Sequence, residues 1–316
     1  MSKISDKKGS FTIAVAALIV VLVVVLAIAA VLFLPVKAVN FNEYRSVQAA
    51  TGVNKLNLKL SADFGEVRIV YTNLSGQALN LHVNAKGSVG YLMDPNSVSL
   101  DFVQSTSADT LIVNATVNVK DRLLGESNMN LHCDVLVDNS MRSKLDLSTS
   151  AGSIMVNTTN ATAFDQIKMS AKAGAVTLRV VSGVSLYGDI SLSTNLGASI
   201  LDWTDPVVKQ NIAVETSTRA GGVELHLNQT APMDKMVTFS GTTATGGVSL
   251  NMDIRGDVGA TINSTTNVGG VHVASKTGFV GNDRELSSTN YPAAGNLVVY
   301  LKTNVGGVEV NTLSAP

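Results

Sequence analysis

"NVGGVHV", residues 267–273, and "NVGGVEV", residues 304–310, share six of their seven residues. Weaker copies stand further up the chain: "TGGVSL" at 245–250, "AGGVEL" at 220–225, "AGAVTL" at 173–178 and "AGSIMV" at 151–156. Counted from the first glycine of each copy, the unit recurs at Gly152, Gly174, Gly197, Gly221, Gly246, Gly269 and Gly306, with spacings of 22, 23, 24, 25, 23 and 37. A period near 23 residues marks stacked coils that bury a shared apolar stripe. The last interval departs from the period and holds an insertion, "TGFVGNDRELSSTNYPAAG".

Each copy ends in a strand whose alternate residues are apolar, as in Val176 and Leu178, Val223 and Leu225, or Val248 and Leu250. The Gly197 copy, "LGASIL", breaks this register and predicts a bulge. A second strand precedes each glycine. Its first apolar residue lies seven positions before the glycine in early copies (Leu145, Ile167, Ile190) and nine before in three later ones (Ile212, Val237, Ala260). Because strand side chains alternate with period two, a two-residue extension keeps the apolar face inward. Glycine at the corner permits a positive φ or a close backbone approach. These seven glycines are therefore expected to be structural.

Upstream of the repeats the same alternation runs through Leu56, Leu58 and Leu60, Val67, Ile69 and Tyr71, Leu79, Leu81 and Val83, and Leu111, Val113, Ala115 and Val117. No helix-period segment appears outside one apolar block. That block, Phe11 to Leu34, carries no charge and is long enough to cross a bilayer core of roughly 30 Å. Lys3, Lys7 and Lys8 precede it and only Lys37 follows closely, a bias that keeps the N-terminus in the cytoplasm. The expectation is a single-pass membrane protein: a cytoplasmic tail at 1–10, a transmembrane helix at 11–34, a linker at 35–50, an N-terminal β region at 51–140 and a repeat region at 141–316. Fold class is then an all-β ectodomain, a β-solenoid with repeats of about 23 residues, behind one transmembrane helix.

The chemistry-bearing residues are sparse. With 23 Lys and Arg against 24 Asp and Glu, the chain has a formal net charge of -1 and no basic stripe for nucleic acid. Its one cysteine, Cys133, cannot form an internal disulfide and shares the phase of Leu131 and Val135, which makes it a buried small hydrophobe. His82, His132, His226 and His272 are dispersed on outward phases, so neither a metal site nor a cofactor is expected. Calcium-binding β-rolls need an aspartate at a fixed offset from their glycines, and here the residue after Gly-Gly-Val is Glu224, Ser249, His272 or Glu309. "LDWTDP", with Asp202, Trp203 and Asp205, is the best local resemblance to a β-helical polysaccharide-cleaving site. It reads as a turn, because Asp before Pro206 is turn chemistry and no basic partner is near in sequence. Ice binding through threonine columns, prompted by "TAT" at 243–245, is set aside because the threonines do not recur at one repeat position. Asn73, Asn114, Asn157, Asn160, Asn228 and Asn263 each begin an Asn-x-Ser/Thr acceptor pattern, no more than composition yields by chance.

"LHCDVLVDNSMRSKLDLSTSAGSIMV", residues 131–156, passes from an apolar strand through a polar bend to a second strand and the first glycine turn. In this it resembles the toast-rack domains of unknown function, a family of proposed adhesins related to auto-transporter adhesin heads. The resemblance covers roughly residues 53–316. It implies a solenoid-like ectodomain, frequently on a membrane anchor, with adhesion or envelope sensing as the role and no catalytic residues. The expected function is a surface adhesin or structural protein without catalysis, with an envelope or surface partner. The alternative is an envelope-sensing accessory subunit of a membrane complex.

Overall fold

Apolar side chains on every second residue of successive strands leave each strand one face to bury, and the fold answers by setting two sheets face to face. The computed structural model describes residues 21–25, 37–89, 97–120 and 128–315. One sheet has eleven strands and the other fourteen. Between them lies a continuous core that includes Leu58, Ile69, Leu147, Val156, Leu178, Leu225, Phe239, Leu250 and Val310, each at most 1% exposed.

A repeat contributes one strand to each sheet. Arg142–Ala151 lies in the fourteen-strand sheet, the chain turns at Gly152, and Ile154–Asn157 lies in the eleven-strand sheet. Successive repeats pair parallel and in register, so Val176 stands beside Ile154 and Ser199, and Val223 beside Ser199 and Val248. The corners stack as well. The N–H of Gly152 donates to Ala173 O, that of Gly174 to Leu196 O and that of Gly221 to Thr245 O, at 2.7–2.9 Å. At each corner glycine φ is positive, from +127° at Gly152 and Gly174 to +141° at Gly306, and a Cβ would fall closer than 3.0 Å to the carbonyl of the corner before it in the stack. Only glycine fits there.

That contact chain also gives the order of the coils: Gly65, Gly152, Gly174, Gly197, Gly221, Gly246, Gly306, Gly269. Two features of this order are absent from the sequence reading. Gly65, in "FGEVRI", begins the stack 87 residues before Gly152. At the other end the last coil of the chain slots between two earlier ones. Val308–Ala315 lies between Val248–Arg255 and Val271–Thr277, and Gly295–Val305 lies between Met236–Thr245 and Val258–Val268. The two near-identical heptapeptides are thus immediate neighbours, Asn267 Nδ2 donating to Asn304 Oδ1 at 3.4 Å. The 37-residue interval holds the hairpin Phe279–Asn282 and Glu285–Ser288, which pairs antiparallel with Val258–Val268 and covers that edge of its sheet.

The β-solenoid expectation is corrected on these grounds. The strands build two large mixed sheets rather than a closed solenoid: the coil order is permuted, and Lys37–Gln48, Gln77–Val89 and Val98–Ser107 join antiparallel. Periodicity fixes which residues face inward and is blind to the order in which equivalent coils meet. Lys37–Gln48, within the expected linker, is an edge strand of the eleven-strand sheet. The expected transmembrane helix is corrected too: residues 21–25 are helical, and among the described residues no helix is long and apolar enough to cross a membrane. The rest of 11–34, and the expected tail at 1–10, lie outside the described residues.

The Gly197 copy carries no bulge. Ser199 takes the place of a core valine in unbroken register and is fully buried, its Oγ without a partner. Threonines do recur at one repeat position, three before the glycine, at Thr149, Thr194, Thr218, Thr243, Thr266 and Thr303. The hydroxyls of the last five each donate to a glycine carbonyl of the neighbouring corner, at 3.1–3.3 Å. These threonines satisfy buried carbonyls inside the stack. They are not an ice-facing column.

Candidate functional site: the outward face of the eleven-strand sheet

In-register pairing turns equivalent positions into straight rows. One row crosses all eleven strands on the outward face: Tyr44, His82, Asp134, Arg68 and Met155, continuing through Thr177, Ile200, Glu224, Ser249, Glu309 and His272. At about 4.8 Å per strand the row is roughly 48 Å long. A parallel row two residues further on contains Arg179, Asp202, His226, Asn251 and Asn311.

All four histidines lie on this face, because Leu81, Leu131, Leu225 and their alternates take the inward positions. Each has an acidic neighbour. His132 Nδ1 is 3.3 Å from Glu66 and His226 Nε2 3.8 Å from Glu224, while His82 pairs across strands with Asp134 and His272 with Glu309. Tyr44 stacks flat on His82 with ring centroids 3.9 Å apart, and His82 Nε2 is 2.7 Å from Asn42 Oδ1. Amide ladders join neighbouring strands, Asn311 Nδ2 donating to Asn251 Oδ1 at 3.3 Å. Among the described residues no group of three or more His, Cys, Asp or Glu is placed to hold a metal ion.

Three shallow grooves open on the same face. The first, about 540 Å³, crosses four coils over Gly222, Gly247, Gly307 and Gly270 and is flanked by Glu224 and Glu309. A second, about 690 Å³, lies further along the same strands beside Asp202, His226 and Asn251. The third, about 730 Å³, lies at the other end between Tyr44, His82 and Arg68.

Asp202, Trp203 and Asp205 do not form one site. Asp202 faces outward and is held by Arg179, Nε to Oδ2 3.1 Å, a basic partner one repeat away that adjacency in sequence hides. Trp203 is buried, its Nε1 donating to Gln229 Oε1 at 3.0 Å and its ring edge-on to Phe239. Asp205 turns the chain at φ +43°, and its carboxylate accepts from the N–H groups of Thr230 and Ala231 and from the Thr230 hydroxyl. Asp205→Ala is therefore expected to cost about 2 kcal/mol, since it orphans those donors. Asp202→Asn breaks only an exposed pair and should cost less than about 1 kcal/mol. Urea titration of the two variants measures the difference.

Cys133 is buried between the sheets, and desolvation, aided by the charge of Asp134, pushes its thiol up to about 12. The reactive thiolate is thereby suppressed at neutral pH. Of the acceptor-pattern asparagines, Asn73, Asn114 and Asn160 are exposed, and Asn157, Asn228 and Asn263 are half-buried on strand faces. Asn228 Oδ1 is buried without a partner.

No family model matches the chain, and no curated protein does. Solved structures similar to it include a "putative cell adhesion protein" of Clostridium sporogenes ATCC 15579, at TM-score 0.41 and 14% identity, covering 87% of this chain and 100% of that one. A "putative adhesin" of Bacteroides fragilis NCTC 9343 gives TM-score 0.33 and 9% identity over 88% and 97% of the two chains. Another "putative adhesin", of Parabacteroides merdae ATCC 43184, gives 0.29 and 11% over 86% and 96%. With TM-scores below 0.5, they transfer neither partner nor activity to this chain.

Proposed function

We propose that the chain is a surface interaction protein of the adhesin kind, binding a cell-surface or envelope partner without catalysis through the outward face of its eleven-strand sheet. The observation that carries this reading is the eleven-strand row itself. It presents charged, imidazole and hydroxyl side chains at strand spacing, over shallow grooves rather than in one enclosed pocket. A face of that kind makes many modest contacts. The four histidines reinforce it: His82 and His226 contact amides, His132 and His226 carboxylates, and His272 stands across from Glu309.

The test is retention of the full chain on immobilised envelope material. Combined replacement of Arg68, Glu224, Ser249 and Glu309 by Ala should weaken retention by about tenfold or more. The same treatment of Lys168, Ser191, Glu215 and Ser240, a row on the other sheet, should leave it unchanged. Equal loss from both sets, or turnover of polysaccharide, peptide or ester substrates that Asp202→Asn abolishes, would sink the reading.

A further inference from the structure

The two glycines of each Gly-Gly corner do different work. The first is required by its positive φ and by the neighbouring carbonyl, while the second is required by neither. Gly222, Gly247, Gly270 and Gly307 lack the left-handed φ, and a Cβ on them would meet nothing closer than 3.7 Å. Earlier coils place Ser153, Ala175 and Ala198 at this position. Side chains are therefore tolerated there, yet all four coils under the first groove leave it bare. The result is a flat floor crossing the strands.

Above that floor, Glu224, Ser249 and Glu309 succeed one another in register. The two carboxylates are two strand spacings apart, about 9.6 Å. His226, 3.8 Å from Glu224, and His272, beside Glu309, are the imidazoles at the two acids. Glu224 and Glu309 set two carboxylates along the groove. An occupant needs cationic groups about 9.6 Å apart on one side and a backbone narrow enough to lie on glycine. A β-strand fails, because residues three apart point to opposite faces. Polyproline II succeeds: three residues advance about 9.3 Å and return to the same face.

Resting on the proposed binding role of this face, the geometry points to a specific occupant of the groove. It is an extended, proline-rich segment of a partner protein with a lysine or arginine at every third residue, lying across the coils with successive cations on Glu224 and Glu309.

The probe is a fluorescent peptide of three Lys-Pro-Pro units, compared by anisotropy on the full chain with an isomer whose three lysines are contiguous. The repeating peptide should bind about tenfold more tightly, and the combined E224Q and E309Q variant should erase that preference. Gly247→Val and Gly270→Val should each abolish binding by filling the floor, with melting temperatures close to that of the parent. Two positions guard against one variant failing to fold. Equal binding of the isomers, a preference that survives E224Q and E309Q, or full binding by a folded floor variant would overturn the inference. If the peptide fails while the combined replacement on the outward face still releases envelope material, only the occupant is wrong and the proposed function stands.

Discussion

Gly246→Ala should cost about 3–5 kcal/mol and Gly247→Ala less than about 0.5, although the two glycines are adjacent. Gly246 has φ +134°, and its added methyl would collide with the carbonyl of Gly221, a backbone atom that cannot move without shifting a coil. Gly247 has no such φ, and its methyl would come no nearer than 3.8 Å to Gly307 O. Its loss of unfolded-state freedom even favours the variant slightly. Urea or thermal unfolding of the pair gives the answer. Equal costs would mean that the corner stack is misplaced.

Val248→Asp should cost several kcal/mol, while Ser249→Lys, one residue on, should be neutral or slightly stabilising. Val248 is 1% exposed, between Val223 and Val308 in the inward column, where a carboxylate finds no partner and costs several kcal/mol or is forced to protonate. Ser249 faces outward with Glu224 and Glu309 on either side, so a lysine there meets two opposite charges across strands, each worth a few tenths of a kcal/mol. Small, matching shifts in melting temperature would place Val248 outside the core and reverse the register.

The inward columns and the corner glycines were legible because their physics is local: alternation selects the buried face, and a glycine recurring where each strand turns marks a strained corner. Gly65 escaped because 87 residues separate it from Gly152, although "GEVRI" already has the alternation of the later copies. The threonine column was equally present, but polar residues on an inward phase become meaningful only when a carbonyl is placed above them. Asp202 looked unpaired for the reason that hides most of the outward row: its partner Arg179 stands one repeat away, adjacent only after stacking. Four members of that face, Glu224, Ser249, His272 and Glu309, were legible as one exposed repeat position, but the full row was not, since its other strands lie outside the Gly-Gly-Val copies. Coil order was beyond reach for a different reason. Coils with the same inward pattern present interchangeable edges, and nothing in a single repeat states which neighbour it will take.

That order brings Glu309 between Ser249 and His272 and aligns the groove, so it is the point on which the account most depends. Two cysteine pairs test it, with the buried Cys133 left in place. Asn267→Cys with Asn304→Cys joins residues that face each other on adjacent parallel strands, and should form a disulfide readily under mild oxidation. Ala244→Cys with Asn267→Cys joins strands separated by Gly295–Val305, about 9.6 Å apart, and should stay reduced. Mass analysis of the unreduced protein reads the outcome. A disulfide in the first pair alone is the predicted result; a disulfide in the second pair as well would mean that the coils stack in simple chain order, with Asn267 beside both partners and Glu224 and Glu309 three strand spacings apart rather than two.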